Sequence, residues 1–216
     1  MHVVIFAGGT LQTGKAVNDA IASADLIIAA DSGAQTALRL GYTPAIVVGD
    51  FDSLSLSRDD LRAMGCQTIQ APIEKDETDS ELAIETAIQQ EASQITLLGG
   101  LGGQRFEHSI ANILLLADYD TIPIRIIDGP SVSWLLRGPG STTIEGQPGD
   151  LLSLFPLTGD AQGVRTNNLY YPLHGETLRF GKPRGISNVL IGSQAQVSLE
   201  KGLLLIIHTA KQELSE

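Results

Sequence analysis

A single cysteine, Cys66, leaves the chain unable to form an internal disulfide, which fits a reducing compartment. Basic residues are scarce. Fourteen Lys and Arg stand against 25 Asp and Glu, for a net charge of −11, and a surface of that sign repels nucleic-acid phosphates. Charged residues make up only 18% and apolar residues 43%, a composition that argues against disorder and provides for a core. The longest apolar runs, such as Leu203 to Ile207, are far too short to span a bilayer. No basic segment leading into a long apolar stretch opens the chain, so no signal peptide is expected. The expectation is a soluble, cytoplasmic protein with neither nucleic-acid nor membrane partners. Its 216 residues suffice for one large domain or two small ones.

Two patterns divide the sequence. Up to Asp128, short apolar segments alternate with amphipathic ones, predicting strands over 2–7, 25–30, 45–49, 66–70, 94–98 and 122–127. Helices are expected near 11–23, 33–41, 57–64, 79–91 and 104–118, the last but one opened by the capping box Thr78-x-x-Glu81. Strands spaced by helices in this way indicate βαβ units and a mostly parallel sheet. After Gly129-Pro130 the chain is rich in Gly, Pro and Thr, with short alternating runs such as STTIEG, QAQVSLEKG and LLLIIH. These read as antiparallel strands joined by turns, a sandwich or small barrel. The expected fold is an α/β sandwich domain over 1–129, then an antiparallel β-sandwich domain over 130–216, with residues 212–216 frayed.

In an open α/β sheet, ligands bind beyond the carboxyl ends of the strands. The segments there are Asp31-Ser32-Gly33, Gly49-Asp50-Phe51-Asp52-Ser53, Lys75-Asp76-Glu77-Thr78-Asp79 and the glycine loop Gly99 to His108. In an extended loop, Asp50 and Asp52 would point the same way and clasp a hard cation. Aspartates also serve turns and helix N-termini. Convergence of Asp31, Asp50, Asp52, Asp76 and Asp79 would require a cation to offset their repulsion, and Mg²⁺ is the simplest choice. Glycines in the loop offer N–H groups to phosphate, and Arg105 offers a planar fork; Lys75 and His108 are further phosphate candidates. A second candidate lies at the N-terminus. Gly9-x-x-x-x-Gly14-Lys15 is one residue short of a P-loop, with Ala16 where a hydroxyl should reach magnesium. That gap favours the later loops as the phosphate site and leaves Gly8 and Gly9 as lining, Lys15 as a surface residue.

The segments DSGA (31–34), GDFDS (49–53), KDETDSELAI (75–84), GLGGQRFEHSIAN (100–112) and RGISN (184–188) together resemble the thiamine pyrophosphokinase family, nearly end to end. Two departures occur in the glycine loop, which in the family reads GGRxDH: Gln104 replaces its second glycine and Glu107 its aspartate. The resemblance implies ATP and thiamine as substrates, Mg²⁺ as cofactor, and transfer of a pyrophosphoryl group to the thiamine hydroxyl with release of AMP. It implies a metal set of Asp50, Asp52 and Asp79. Asp79 would also orient the hydroxyl, with Asp52 and Arg105 catalytic. Asp31, Ser32, Gly33, Lys75, Arg105 and His108 fall around the nucleotide, and Tyr171, Ser187 and Asn188 around thiamine. The family is homodimeric, with the site between one subunit's α/β domain and the other's β domain. Other functions fit parts of the pattern: a P-loop NTPase using Gly9 to Lys15, a non-catalytic nucleotide or thiamine sensor, or a metal-dependent phosphoesterase.

Overall fold

The computed structural model describes residues 1–72 and 74–211, so the segment expected to fray, 212–216, lies outside the described residues. The chain divides into two compact units, one from Met1 to Gly129 and one from Pro130 onward.

The first unit is built on six parallel strands. These are β1 (His2–Phe6), β2 (Leu26–Ala30), β3 (Ile46–Gly49), β4 (Gln67–Gln70), β5 (Gln94–Leu98) and β6 (Ile124–Asp128). Their order is β6-β5-β1-β2-β3-β4. Successive strands step one way from β1 to β4, then the chain returns to place β5 on the other side of β1. The carboxyl ends of β1 and β5 therefore mark a topological switch point, where such sheets open a crevice. Strand β1 is buried along its length and apolar from Val3 to Phe6, as expected where helices cover both faces. Strand β4 reads Gln-Thr-Ile-Gln and is half exposed, as suits an edge.

Five helices connect the strands: α1 (Lys15–Ala22), α2 (Gly33–Arg39), α3 (Arg58–Ala63), α4 (Asp79–Gln89) and α5 (Phe106–Leu115). The expected capping box opens α4. Thr78 Oγ1 accepts from the Glu81 N–H at 3.2 Å, and the Glu81 carboxylate accepts from the Thr78 N–H at 3.4 Å. A second box, Ser57 with Asp60, opens α3. Helix α1 starts at Lys15 rather than near residue 11. The preceding segment is held elsewhere: the Gln12 N–H donates to Asp128 Oδ1 at 2.8 Å, and the Gly129 N–H donates to the Gln12 carbonyl at 2.9 Å. Among the described residues no helix is long and apolar enough to cross a membrane.

The second unit is a pair of antiparallel sheets. One runs β12 (Asn188–Val189), β9 (Leu151–Pro156), β14 (Leu203–Thr209), β7 (Ser131–Arg137); the other runs β11 (His174–Leu178), β10 (Ala161–Asn167), β13 (Gln194–Leu199), β8 (Gly140–Glu145). Strand β13 shows the period of two at work, with Ala195, Val197 and Leu199 buried between exposed or half-exposed polar neighbours. These side chains join Leu152, Leu154, Val164, Leu178, Leu204 and Ile206 in one core. The architecture is the α/β domain followed by a β-sandwich that the two sequence patterns imply.

Candidate active site

Beyond the switch point lies a cleft of about 680 Å³, lined by residues of the first unit alone. Its floor is backbone. The Ala7 N–H donates to the Leu98 carbonyl at 2.8 Å and the Gly9 N–H to the Gly99 carbonyl at 3.0 Å, so the loops after β1 and β5 run against each other. A Cβ on Gly9 would lie 2.4 Å from the Gly99 oxygen, and one on Gly8 would lie 2.6 Å from Ser32 Oγ. The glycine loop turns through Gly99, Gly102 and Gly103, all in the left-handed region that favours glycine.

Two residues within HSIAN secure this loop, and sequence reasoning had given neither a role. Ser109 Oγ accepts from the Gly102 N–H at 3.0 Å, and the buried Asn112 amide donates to the Gly100 carbonyl at 2.7 Å. Their signal was a Ser and an Asn three apart, hence on one helix face, where the core side of α5 should be apolar. Helix α5 has no side-chain N-cap from Arg105; the His108 N–H donates to the Arg105 carbonyl at 3.0 Å instead.

Three carboxylates meet at one side of the cleft. One oxygen each from Asp31, Asp50 and Asp79 lie within 4.8 Å of one another. Asp31 follows β2 in the left-handed region (φ 42°), its N–H donating to the Val48 carbonyl at 2.8 Å, and only 5% of the residue is exposed. Its Oδ1 is buried without a hydrogen-bond partner among the described residues. Burial pushes its carboxyl above the usual 3.8, and the negative charges of Asp79, Asp50 and Asp52 push the same way, against a hydrogen bond from the Ser32 backbone. A single divalent cation at this point would offset the repulsion within the cluster and satisfy the orphaned oxygen, and the all-oxygen donor set is the kind that hard divalent ions take.

Asp52 stands apart from this group. Phe51 adopts a left-handed φ of 65°, so the loop is not extended and alternate residues do not project together. Asp52 is exposed, its Oδ1 accepting from Ser53 Oγ at 2.8 Å, and it does not line the cleft. The metal-type trio therefore contains Asp31, expected on the nucleotide side, in place of Asp52. Asp76 lines the cleft without joining the trio.

The cationic groups are distributed around the same space. Lys75 is largely buried and pairs with Asp79 across 2.6 Å, setting one carboxylate's position. Arg105 is exposed, its Nε donating to Glu107 at 3.0 Å. A hydrogen bond from its own backbone N–H, then the Arg105 side chain, holds the Glu107 carboxyl below its usual range. Arg105, His108 and Ser32 all line the cleft. Gly33 does not; its role is steric, because a Cβ there would come 1.9 Å from the Phe6 carbonyl oxygen where α2 crosses β1. Lys15 is also elsewhere. Its side chain is 88% exposed and pairs with Asp19 one turn along α1, so the P-loop reading gains nothing from the structure.

The second unit carries its own cavity of about 600 Å³, bordered by Tyr170, Tyr171, Arg184, Ile186 and Asn188. The two tyrosine rings meet edge to face, 4.8 Å apart at 82°. The left-handed turn before them falls on Asn168 (φ 59°), a residue that tolerates this conformation. Ser187 also sits in the left-handed region, its N–H donating to Ser153 Oγ at 3.0 Å.

The family model for the thiamin pyrophosphokinase catalytic domain matches residues 17–127, and that for the thiamin pyrophosphokinase vitamin B1 binding domain matches residues 141–204. The thiamine pyrophosphokinase of Bacillus subtilis (strain 168) is 33% identical over 190 residues, 85% of this chain and 87% of that protein. A crystal structure of the Bacillus subtilis thiamine pyrophosphokinase matches 98% of this chain and 100% of its own, at 31% identity and a TM-score of 0.83. The thiamin pyrophosphokinase from Geobacillus thermodenitrificans matches 100% of this chain and 99% of its own, at 29% identity and a TM-score of 0.82. With both of its units matched and a relative of this identity along most of its length, the chain belongs to the thiamine pyrophosphokinase family.

Proposed function

We propose that this protein transfers the pyrophosphoryl group of ATP to the hydroxyl of thiamine, giving thiamine diphosphate and AMP, in the cytoplasm. The convergence of Asp31, Asp50 and Asp79 beside a glycine loop at the switch point carries this reading. In the reaction the thiamine oxygen forms a bond to the β-phosphorus. The bond from that phosphorus to the α,β-bridging oxygen breaks, and the hydroxyl proton passes to a nearby carboxylate. Asp79, placed by Lys75, orients the hydroxyl. The backbone amides of the glycine loop receive phosphate oxygens at the N-terminal end of α5, with Arg105 and His108 at the rim. Fixed donors of this kind stabilise the spread charge of the transition state without reorganising. Mg²⁺ held by Asp31, Asp50 and Asp79, with Asp52 on the adjoining exposed turn, would supply charge neutralisation on the transferred phosphates. Ser32 flanks the nucleotide. Tyr171 gives the thiamine site its aromatic face, which suits a flat cation, with Ser187 alongside and Asn188 behind its backbone.

The test is to incubate the protein with ATP, Mg²⁺ and thiamine and to resolve AMP from ADP. Thiamine-dependent AMP is expected, and Asp50→Asn should lower its rate by at least about 10²-fold, the scale of losing one electrostatic stabiliser. ADP would indicate a simple kinase, phosphate without thiamine a hydrolase, and binding without turnover a sensor.

We further propose that the working form is a homodimer in which one protomer's phosphate site serves the other's thiamine site. The phosphate-handling groups and the aromatic site reside on separate units, and two-fold dimers are the commonest assembly. Mixing Asp50→Asn with Tyr171→Ala at thiamine well below KM, where each alone is much reduced, should then recover roughly a quarter of the wild-type rate, because half the dimers carry one intact site. Purely additive residual rates would exclude shared sites.

A further inference from the structure

We propose that Asn188 is a positioning residue for the acceptor. Its buried side-chain amide fixes the backbone of Tyr171, and hence the ring that meets the acceptor, without touching the acceptor itself. The proposal rests on the reading that thiamine binds at Tyr171.

Asn188 is 6% exposed, whereas Tyr171 is 66% exposed. Among the described residues, every hydrogen bond of the Asn188 side chain runs to backbone. Oδ1 accepts from the Tyr171 N–H at 3.0 Å and from the Val189 N–H at 2.9 Å, and Nδ2 donates to the Tyr171 carbonyl at 2.7 Å. Three of the amide's four hydrogen-bonding positions are thus spent. The orientation of the amide is forced, because exchanging oxygen and nitrogen would set two N–H groups against an NH₂ and a carbonyl against an oxygen.

The amide acts as a surrogate peptide group. Leu169 bridges Leu190, the Tyr170 N–H donates to the Val189 carbonyl at 2.9 Å, and the Ile191 N–H donates to the Asn168 carbonyl at 3.1 Å. This pairing would end at Tyr170, and the Asn188 side chain carries it one residue further by engaging both polar groups of Tyr171. Asn188 is itself anchored by pairing with Leu152 of β9, a fully buried core residue. On the other side Pro172 restricts Tyr171 to extended conformations. The backbone of Tyr171 is therefore fixed from both directions, and its ring is presented to solvent with Tyr170 against its edge. A ring held in place beforehand loses less freedom on binding than a mobile one.

A direct contact and a positioning role separate in a double-mutant cycle. Asn188→Ala should raise the KM for thiamine by about tenfold, comparable to losing one cation–π contact, while leaving the KM for ATP and kcat within about twofold. In the Tyr171→Ala background the same substitution should change the KM for thiamine by less than about twofold; a second tenfold loss would show an independent contact and overturn the proposal. If Asn188→Ala does not fold, Asn188→Asp carries the comparison, since it keeps size and acceptor and loses the donor to the Tyr171 carbonyl. Amide hydrogen exchange in the ligand-free protein gives a reading that owes nothing to activity. Tyr171 N–H should exchange at least about tenfold faster in Asn188→Ala, and an unchanged rate overturns the clamp. Absence of thiamine-dependent AMP from the wild-type protein would overturn the functional reading and with it the acceptor half of the proposal, while the exchange rate still decides the clamp.

Discussion

Asp31→Asn should make the metal-free protein more heat-stable while lowering its turnover by at least about 10²-fold. The two effects share one cause. Asp31 is a buried carboxylate with an unpartnered oxygen, facing the charges of Asp50 and Asp79. Its folded-state pKa is raised above the usual 3.8, so the fold penalises the ionised form. The sign follows. The stability attributable to this group is full below the unfolded value and falls as pH rises through that value toward the folded one. Asparagine removes the charge and keeps the shape, and it tolerates the left-handed backbone at this position as well as aspartate does. The gain should therefore be present near neutral pH and vanish below about pH 4. Each kcal/mol relieved should raise the apparent melting temperature by about 2–4 °C. Scanning calorimetry in chelator checks the gain, and a Mg²⁺ titration checks its reversal. Wild-type protein should be stabilised by the ion through mass action, by roughly 2.7 kcal/mol at 100 times Kd, and the variant much less. A variant that is less stable in chelator would show that Asp31 is held by favourable contacts rather than strained by like charge.

Gly9→Ala should damage both fold and activity, whereas Lys15→Ala should do neither. A methyl group at Gly9 would lie 2.4 Å from the Gly99 carbonyl and 3.1 Å from those of Leu101 and Gly102. All three are backbone atoms, so no side chain can rotate away. Overpacking of this kind costs about 1–3 kcal/mol, and relief of it must displace the glycine loop that lines the cleft. The KM for ATP should rise by about tenfold or more, since 1.4 kcal/mol is a factor of ten. Lys15 offers a contrast within the same motif. Its pairing with Asp19 on an exposed helix face is worth about 0.3–0.5 kcal/mol, and turnover should stay within about twofold. Melting curves and steady-state kinetics on the two variants are sufficient, and a dead Lys15→Ala enzyme would restore the P-loop as the phosphate site.

The sequence made some parts of this site legible and hid others. Polar clusters after apolar strands identified Asp31, Asp50, Asp79, Lys75 and the glycine loop, because a parallel sheet gathers whatever follows its strands at one edge. The Thr78 capping box was readable because a cap and its partner are three residues apart and need no tertiary contact. Three features were not readable. The left-handed turn at Phe51 separates Asp52 from Asp50, and a phenylalanine gives no local sign of positive φ. Ser109 and Asn112 bond to a loop whose path depends on β1 lying beside β5. The resemblance placed Asn188 around thiamine, but the bonding of its amide to the backbone of Tyr171, 17 positions earlier in the chain, exists only in the fold.

What the sequence determined by itself is therefore everything set by local periodicity and strand order: a parallel α/β unit, an antiparallel β unit, and the edge at which the acids and glycines collect. Only the tertiary structure decided which carboxylates share one point, which glycines are needed for close approach and which side chains hold others in place. Those choices depend on distances of a few ångströms between segments far apart in the chain. The backbone turns that set them, at Asp31, Phe51 and Asn168, gain their stability from neighbours that the local sequence does not contain.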